Sequence, residues 1–397
     1  MSYFHPIYQR IIFAVLSTLL VVPCFATVGD SISFKYTGHI NFPSLINHTI
    51  PCNLIFDTGG ADIFGVDSVF LAQSGWKPAK LVTAMAKGAA GYEKVKVIAD
   101  GTNVKLGYLE STYEIVPVFH LRDIVDGHVD GLIGIRDIET NPFEINFEHS
   151  YMCRHRSLPV DVSTYMCVPI IYQNNKVLLN ATVKIGDVMV KGLYQMDTGD
   201  GGTIDFTAET AEKFHFDSMQ RKKVITDISN FGIGSKKVET VVDMQCDHIV
   251  IGEDTIENRS ISYMPEGVGA FGKRDWVGVI GNGIWSKYNI VLDIRHQRIY
   301  IRRFKKDIRN PMVYDYGFRN RTDICDGWIV SSLERGGDAA KAGMELGDTV
   351  VTVNGKLAKD LTWDEEEAVG ESPVQALTLR GVSGNMKHIE LKAKQRW

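Results

Sequence analysis

With 397 residues, 44% apolar and 23% charged, and a net charge of −5, the chain has room for two or three domains and the balance of a globular protein. With so small a net charge, nothing points to nucleic acid or to a strongly charged substrate. Thirty-seven glycines against 12 prolines favour a turn-rich β protein over a helical bundle.

At the N-terminus Arg10 precedes an apolar run over residues 11–22. Pro23-Cys24-Phe25-Ala26 follows, with the small residues that signal peptidase prefers. The run is short for a bilayer span. Residues 1–26 are therefore expected to be a removed secretory signal, giving a secreted or periplasmic protein with no permanent membrane span. Pro23 argues against lipoprotein anchoring through Cys24, because a small residue is expected before such a cysteine. Cys52, Cys153, Cys167, Cys246 and Cys325 remain. Cys153 and Cys167 are near enough in sequence to close a short loop in an oxidising compartment. The His and Cys spacings match no zinc pattern, so neither a metal nor a cofactor is expected.

Asn53-Leu54-Ile55-Phe56 reads as a strand running into Asp57-Thr58-Gly59, and residues 66–74 as a short helix. Gly88-Ala89-Ala90-Gly91-Tyr92 is a Gly-rich hairpin. The apolar runs at 95–98 and 104–106 flank Asp100-Gly101, which predicts a second hairpin. Asp130-Gly131-Leu132-Ile133-Gly134 and then Phe143-Glu144-Ile145-Asn146-Phe147-Glu148 close this half. The sequence then repeats itself. Runs at 182–185 and 188–190 flank the turn Gly186-Asp187. Leu193-Tyr194-Gln195-Met196 leads into Asp197-Thr198-Gly199, 140 positions after the first copy. A short helix is expected at 208–216. Phe231-Gly232-Ile233-Gly234-Ser235 lies almost as far beyond its aspartate as the first Gly-rich run. Gly278-Val279-Ile280-Gly281-Asn282 and Tyr288-Asn289-Ile290-Val291-Leu292-Asp293 complete the second copy. Each half reads strand, Asp-Thr-Gly turn, Gly-rich hairpin, Gly-apolar-apolar-Gly, final strand.

The basic run Arg302-Arg303-Phe304-Lys305-Lys306 reads as a solvated linker, with a boundary at 307–311. Beyond it, Gly327-Trp328-Ile329-Val330 reads as a strand. Residues 338–343 read as a short helix closed by Gly343, and 347–355 as turn, strand and hairpin turn. About 90 residues suffice for a small core of their own.

Two matched Asp-Thr-Gly turns suggest half-sites that bring two carboxyl groups together. Carboxyls that close cannot easily both ionise, so they share one proton. One then acts as a base on water while the other acts as an acid on a carbonyl oxygen. The sequence holds no phosphate-binding Gly-Lys-Ser/Thr loop, no His-Glu-x-x-His and no nucleophile elbow.

The paired turns, each with its later Gly-apolar-apolar-Gly, resemble the aspartic proteases of the pepsin and retropepsin type. Half-lengths like these are closer to the compact retropepsin plan. The resemblance implies a mainly β fold of two pseudo-twofold-related lobes, at 27–165 and 166–306. It makes Asp57 and Asp197 the catalytic pair acting on polypeptide. Thr58 and Thr198 would interlock across the axis, with Gly59 and Gly199 permitting close approach. Gly91 and Tyr92, and Gly232, Ile233 and Gly234, would belong to flaps over the cleft. Residues 311–397 resemble a small α+β PDZ domain of the bacterial protease-associated kind, in which Tyr316-Gly317-Phe318 resembles the loop that holds a peptide or protein C-terminus. Two positions depart from the pattern. Gly60 and Asp200 stand where a small hydroxyl residue or Ala is usual. Gly60 loses a possible hydrogen bond, and Asp200 sets a third carboxyl near the pair. A peptide-binding pseudoprotease, or a PDZ scaffold on a structural β domain, is the alternative these departures leave open.

Overall fold

The computed structural model describes residues 31–60, 63–134, 140–234, 238–305, 316–323 and 327–394. The expected signal segment, the boundary at 307–311, Ser235 and Cys325 lie outside the described residues. Strands make up 49% of the described residues and helices 14%, which makes the fold mainly β. Among the described residues no helix is long and apolar enough to cross a membrane.

The strands obey the period of two that their sequences predict. In Lys176–Ile185, Val177, Leu179, Ala181, Val183 and Ile185 are buried, while Asn180 is exposed. This strand pairs with Val188–Met196 around Gly186-Asp187 as expected, from Ile185↔Val188 to Leu178↔Gln195, and Gly186 takes the left-handed φ of +62° that the turn requires. The two expected helices form as Ser68–Gln73 and Ala208–Lys213. Asp67 and Thr207 cap them by accepting from first-turn amides.

The hairpin predicted at Asp100-Gly101 does not form. Gly91–Ile98 pairs instead with Leu81–Gly88 and Val116–Phe119, and Thr102–Leu106 pairs with Leu109–Tyr113 and Ile40–Ile46. The Asp100 carboxylate accepts from the amides of Ala79 and Lys80. The turn therefore redirects the chain to a different neighbour instead of folding it back on itself.

A continuous antiparallel run of six strands ties the halves together. Its order is Ser31–Ser33, Tyr151–Arg154, Phe143–Asn146, Tyr288–Asp293, Arg298–Arg303 and Met166–Gln173. The final strands of both halves are neighbours at its centre. This order also corrects the expected Cys153–Cys167 loop. The two residues sit in one transverse row, Cys153↔Glu144↔Val291↔Tyr300↔Cys167. Four strand spacings of ~4.8 Å separate them by roughly 19 Å, far beyond disulfide reach, and both are free thiols.

One large apolar core spans both halves, with Phe42, Leu54 and Phe64 from the first and Tyr194, Phe206 and Trp285 from the second. Residues 316–394 bury a separate core around Trp328, Val330, Val350, Leu377 and Leu379.

Candidate active site

Strand Ile50–Phe56 delivers Asp57, and Val188–Met196 delivers Asp197. The surroundings match residue for residue. Leu54, Ile55 and Phe56 pair in parallel with Gly131, Leu132 and Ile133, as Tyr194, Gln195 and Met196 do with Gly278, Val279 and Ile280. The Asp57 amide donates to Ile133 O at 2.9 Å and the Asp197 amide to Ile280 O at 3.0 Å. Each Gly-apolar-apolar-Gly segment thus supports the turn of its own half.

The two turns meet through their threonines. The Thr58 amide donates to Thr198 Oγ1, and the Thr198 amide to Thr58 Oγ1, both at 3.0 Å. Each hydroxyl in turn donates to the strand of the other half, Thr58 to Met196 O at 3.2 Å and Thr198 to Phe56 O at 2.9 Å. Both threonines are buried, so the bonds form away from competing water.

The glycines of the turns are required by the opposite aspartate. A Cβ on Gly59 would lie 2.5 Å from Asp197 Oδ1, and one on Gly199 would lie 2.5 Å from Asp57 Oδ1. Each carboxyl therefore rests against the other turn. The Gly199 amide donates to Asp197 Oδ1 at 2.9 Å. The Gly60 amide donates to Asp57 Oδ1 at 2.7 Å, so the main chain supplies a bond where a hydroxyl side chain is missing. A Cβ at Gly60 would approach Asp57 Oδ2 to 2.8 Å, which leaves little room for a side chain there.

Burial pushes the Asp197 carboxyl well above the usual carboxylate range, and the charges of Asp57 and then Asp200 add to the shift. The Lys176 ammonium and the Gly199 amide pull it back. Asp197 is thus the carboxyl of the two that its surroundings press toward the protonated form. Lys176 also donates to Gly59 O, placing a cation against the first turn and beside the second aspartate.

Asp200 carries less charge than its identity suggests. Burial raises its pKa well above normal, and Asp205 raises it further. Its Oδ1 accepts from the Gly202 amide at 2.7 Å, while Oδ2 is buried with no donor to it among the described residues. A neutral acid turns that orphan oxygen into a donor. The Asp205 carboxyl is its neighbour: a Cβ on Gly202 would lie 2.6 Å from Asp205 Oδ2 and 3.0 Å from Asp200 Oδ1. Burial and Asp205 thus favour the neutral form of Asp200, which lessens the charge it sets against Asp197.

The two Gly-rich runs are hairpin tips. The first joins Leu81–Gly88 to Gly91–Ile98, and the second lies between Lys223–Ile228 and Glu239–Gln245. The tips touch, with the Ala90 amide donating to Ile233 O at 2.9 Å. They also exchange side chains. Ile233 packs into a first-half cluster that includes Ile55, Val97 and Leu132, and Ala89 into a second-half cluster that includes Val241, Phe271 and Val279. Gly234, at φ +95°, donates its amide to Glu93 at 3.2 Å. Gly232 lies against Ala89. Tyr92 is 60% exposed, with the Lys87 ammonium 5.7 Å from its ring centre.

Tyr316, Gly317 and Phe318 lie at the start of strand Phe318–Asp323, with Tyr316 buried in the separate C-terminal core. Gly317 takes φ +79°, and its carbonyl accepts from the Glu334 amide at 2.8 Å.

Lys176, Asp205 and Asn282 join the site without having been singled out from sequence. Asn282 donates to Thr198 O at 2.7 Å and to Gly38 O at 3.1 Å. Its place directly after the second Gly-apolar-apolar-Gly was the available signal. Nothing local marks Lys176 or Asp205. The chain matches no protein-family model and no curated protein.

Proposed function

We propose that this chain is an aspartic endopeptidase with two lobes of the retropepsin and pepsin type and a C-terminal PDZ domain. The observation that carries the reading is the reciprocal threonine bonding that seats Asp57 and Asp197 against each other's turns. The matched strand registers on the two sides of that contact support the pseudo-twofold relation of the lobes.

In this mechanism a water between the two carboxyls gives a proton to the ionised one as it attacks the scissile carbonyl. The protonated partner donates to the carbonyl oxygen, so negative charge does not accumulate there. Collapse of the tetrahedral intermediate reverses the roles, with one carboxyl protonating the leaving amine. The enzyme forms no covalent acyl intermediate. The buried threonine lattice holds the carboxyls in place, and the joined hairpin tips exclude water from the substrate channel.

The test is cleavage of an unfolded polypeptide or a peptide library by the mature chain. Wild type is expected to cleave with a bell-shaped pH dependence. Asp57→Asn and Asp197→Asn should each lower kcat/KM by about 10³-fold or more with unchanged circular dichroism. A wild type that cleaves nothing between acid and neutral pH would favour the pseudoprotease, in which the closed tips and the extra Asp200 belong to a binding cleft alone.

A further inference from the structure

We infer that the C-terminal unit clamps the second Gly-rich hairpin, and that Arg335 is the positioning residue of the clamp. The outer edge of Lys223–Ile228 is paired with Gly327–Glu334 in register Thr226↔Glu334, Asp227↔Leu333 and Ile228↔Ser332. The pairing continues at both ends, with the Ser229 amide donating to Ser331 O and the Arg335 amide to Ile225 O, each at 2.8 Å. The hairpin strand is therefore a member of the C-terminal sheet.

Arg335 binds both strands of that hairpin. Its Nε and Nη2 form a fork on Asp227 at 2.8 and 2.7 Å, and Nη2 also donates to Thr240 Oγ1 at 2.9 Å. Asp227 and Thr240 are directly opposite each other in the hairpin ladder. The Arg335 fork holds the Asp227 carboxyl below its ordinary range. Two-point geometry of this kind is what distinguishes a specific ion pair from an incidental surface one.

The other end of the unit stands on the first half. Helix Trp363–Gly370 places Asp364 and Glu367 on Lys35, at 2.9 and 3.2 Å. Trp363 stacks on His128 with ring centres 4.8 Å apart, and His128 meets Glu366 at 2.8 Å. The unit thus bridges the first half and the second Gly-rich hairpin. To lift the second tip, the hairpin must either shed the Gly327–Glu334 strand or pull the C-terminal unit off the first half, at Lys35 and His128 and at Leu121–Asp123. Arg335 sets how firmly the first of these routes is closed.

This rests on the proposed function only in taking the hairpin to cover a substrate cleft, so the test has an arm that needs no catalysis. Amide exchange of residues 223–228 and 239–245 is compared in the full mature chain between wild type, Arg335→Ala, and the swap Asp227→Arg with Arg335→Asp. We expect about fivefold faster exchange or more in Arg335→Ala, with recovery in the swap, as loss and rebuilding of a networked fork imply. In peptide cleavage, Arg335→Ala should raise KM several-fold while leaving kcat and the pH limbs in place. Exchange in Arg335→Ala within twofold of wild type would overturn the clamp. So would a swap that keeps the wild-type thermal midpoint yet exchanges as fast as Arg335→Ala. A wild type without cleavage counts against the catalytic reading, while the exchange arm still decides the clamp.

Discussion

The Lys176 ammonium gives the dyad a charge environment that its own turns do not. It favours the ionised form of Asp197, against burial and the neighbouring carboxyls that disfavour it. Removing the cation raises the pKa of Asp197 further, so the limb of the kcat/KM pH profile that reports Asp197 should move upward in Lys176→Met. A profile that superimposes on wild type would mean that Lys176 serves only the Gly59 carbonyl. Asp57 and Asp197 could be picked out from sequence because the same tripeptide recurs in the same context. Asp200 was noticed as well, but burial and then Asp205, five residues on, are what push its pKa upward, and neither is legible from the tripeptide. Gly60 reads as a lost hydrogen bond from residue type alone, yet its own amide makes that bond.

At the scale of elements, turn chemistry and strand partner are separate matters. Asp100-Gly101 and Gly186-Asp187 carry equally good turn residues, and only the second folds its strands onto each other. Local geometry allows both outcomes, and the neighbours that bury each strand's apolar face decide between them. The Gly-rich tips illustrate the same point. Their glycines announce hairpins, whereas the exchange of Ile233 and Ala89 between halves needs both halves folded. Replacing Ile233 with Ser should remove apolar contact worth about 1 kcal/mol and speed exchange of the Ala90 amide roughly fivefold, measured by site-resolved hydrogen exchange. Unchanged Ala90 protection would place the tip's stability in the main-chain bond alone.

Over the whole molecule, the six-strand run makes the two halves one structure, because each contributes its final strand to the other's neighbour at the centre. The C-terminal unit is different in kind. It has its own apolar core and meets the halves through the strand edge on the hairpin, strand Phe318–Asp323 beside Leu121–Asp123, and one charged helix. If it is the proposed PDZ domain, a peptide with a free C-terminal carboxylate should bind it, and amidation of that carboxylate should weaken binding about tenfold or more, measured by calorimetry. Equal affinity for both peptides would remove carboxylate capture by the Tyr316-Gly317-Phe318 loop.

The sequence by itself determined the mainly β class, the duplicated plan and the identity of the two aspartates, because strand periodicity, turn glycines and repetition are written locally in the chain. Tertiary structure alone decided which strands are partners, that Cys153 and Cys167 lie four strands apart, that Asp200 finds Asp205, and that Lys176 and Arg335 reach the turn and the hairpin. Each of these depends on residues distant in sequence arriving within a few ångströms of one another. Residue order carries no direct mark of such distances until burial and strand register have set them.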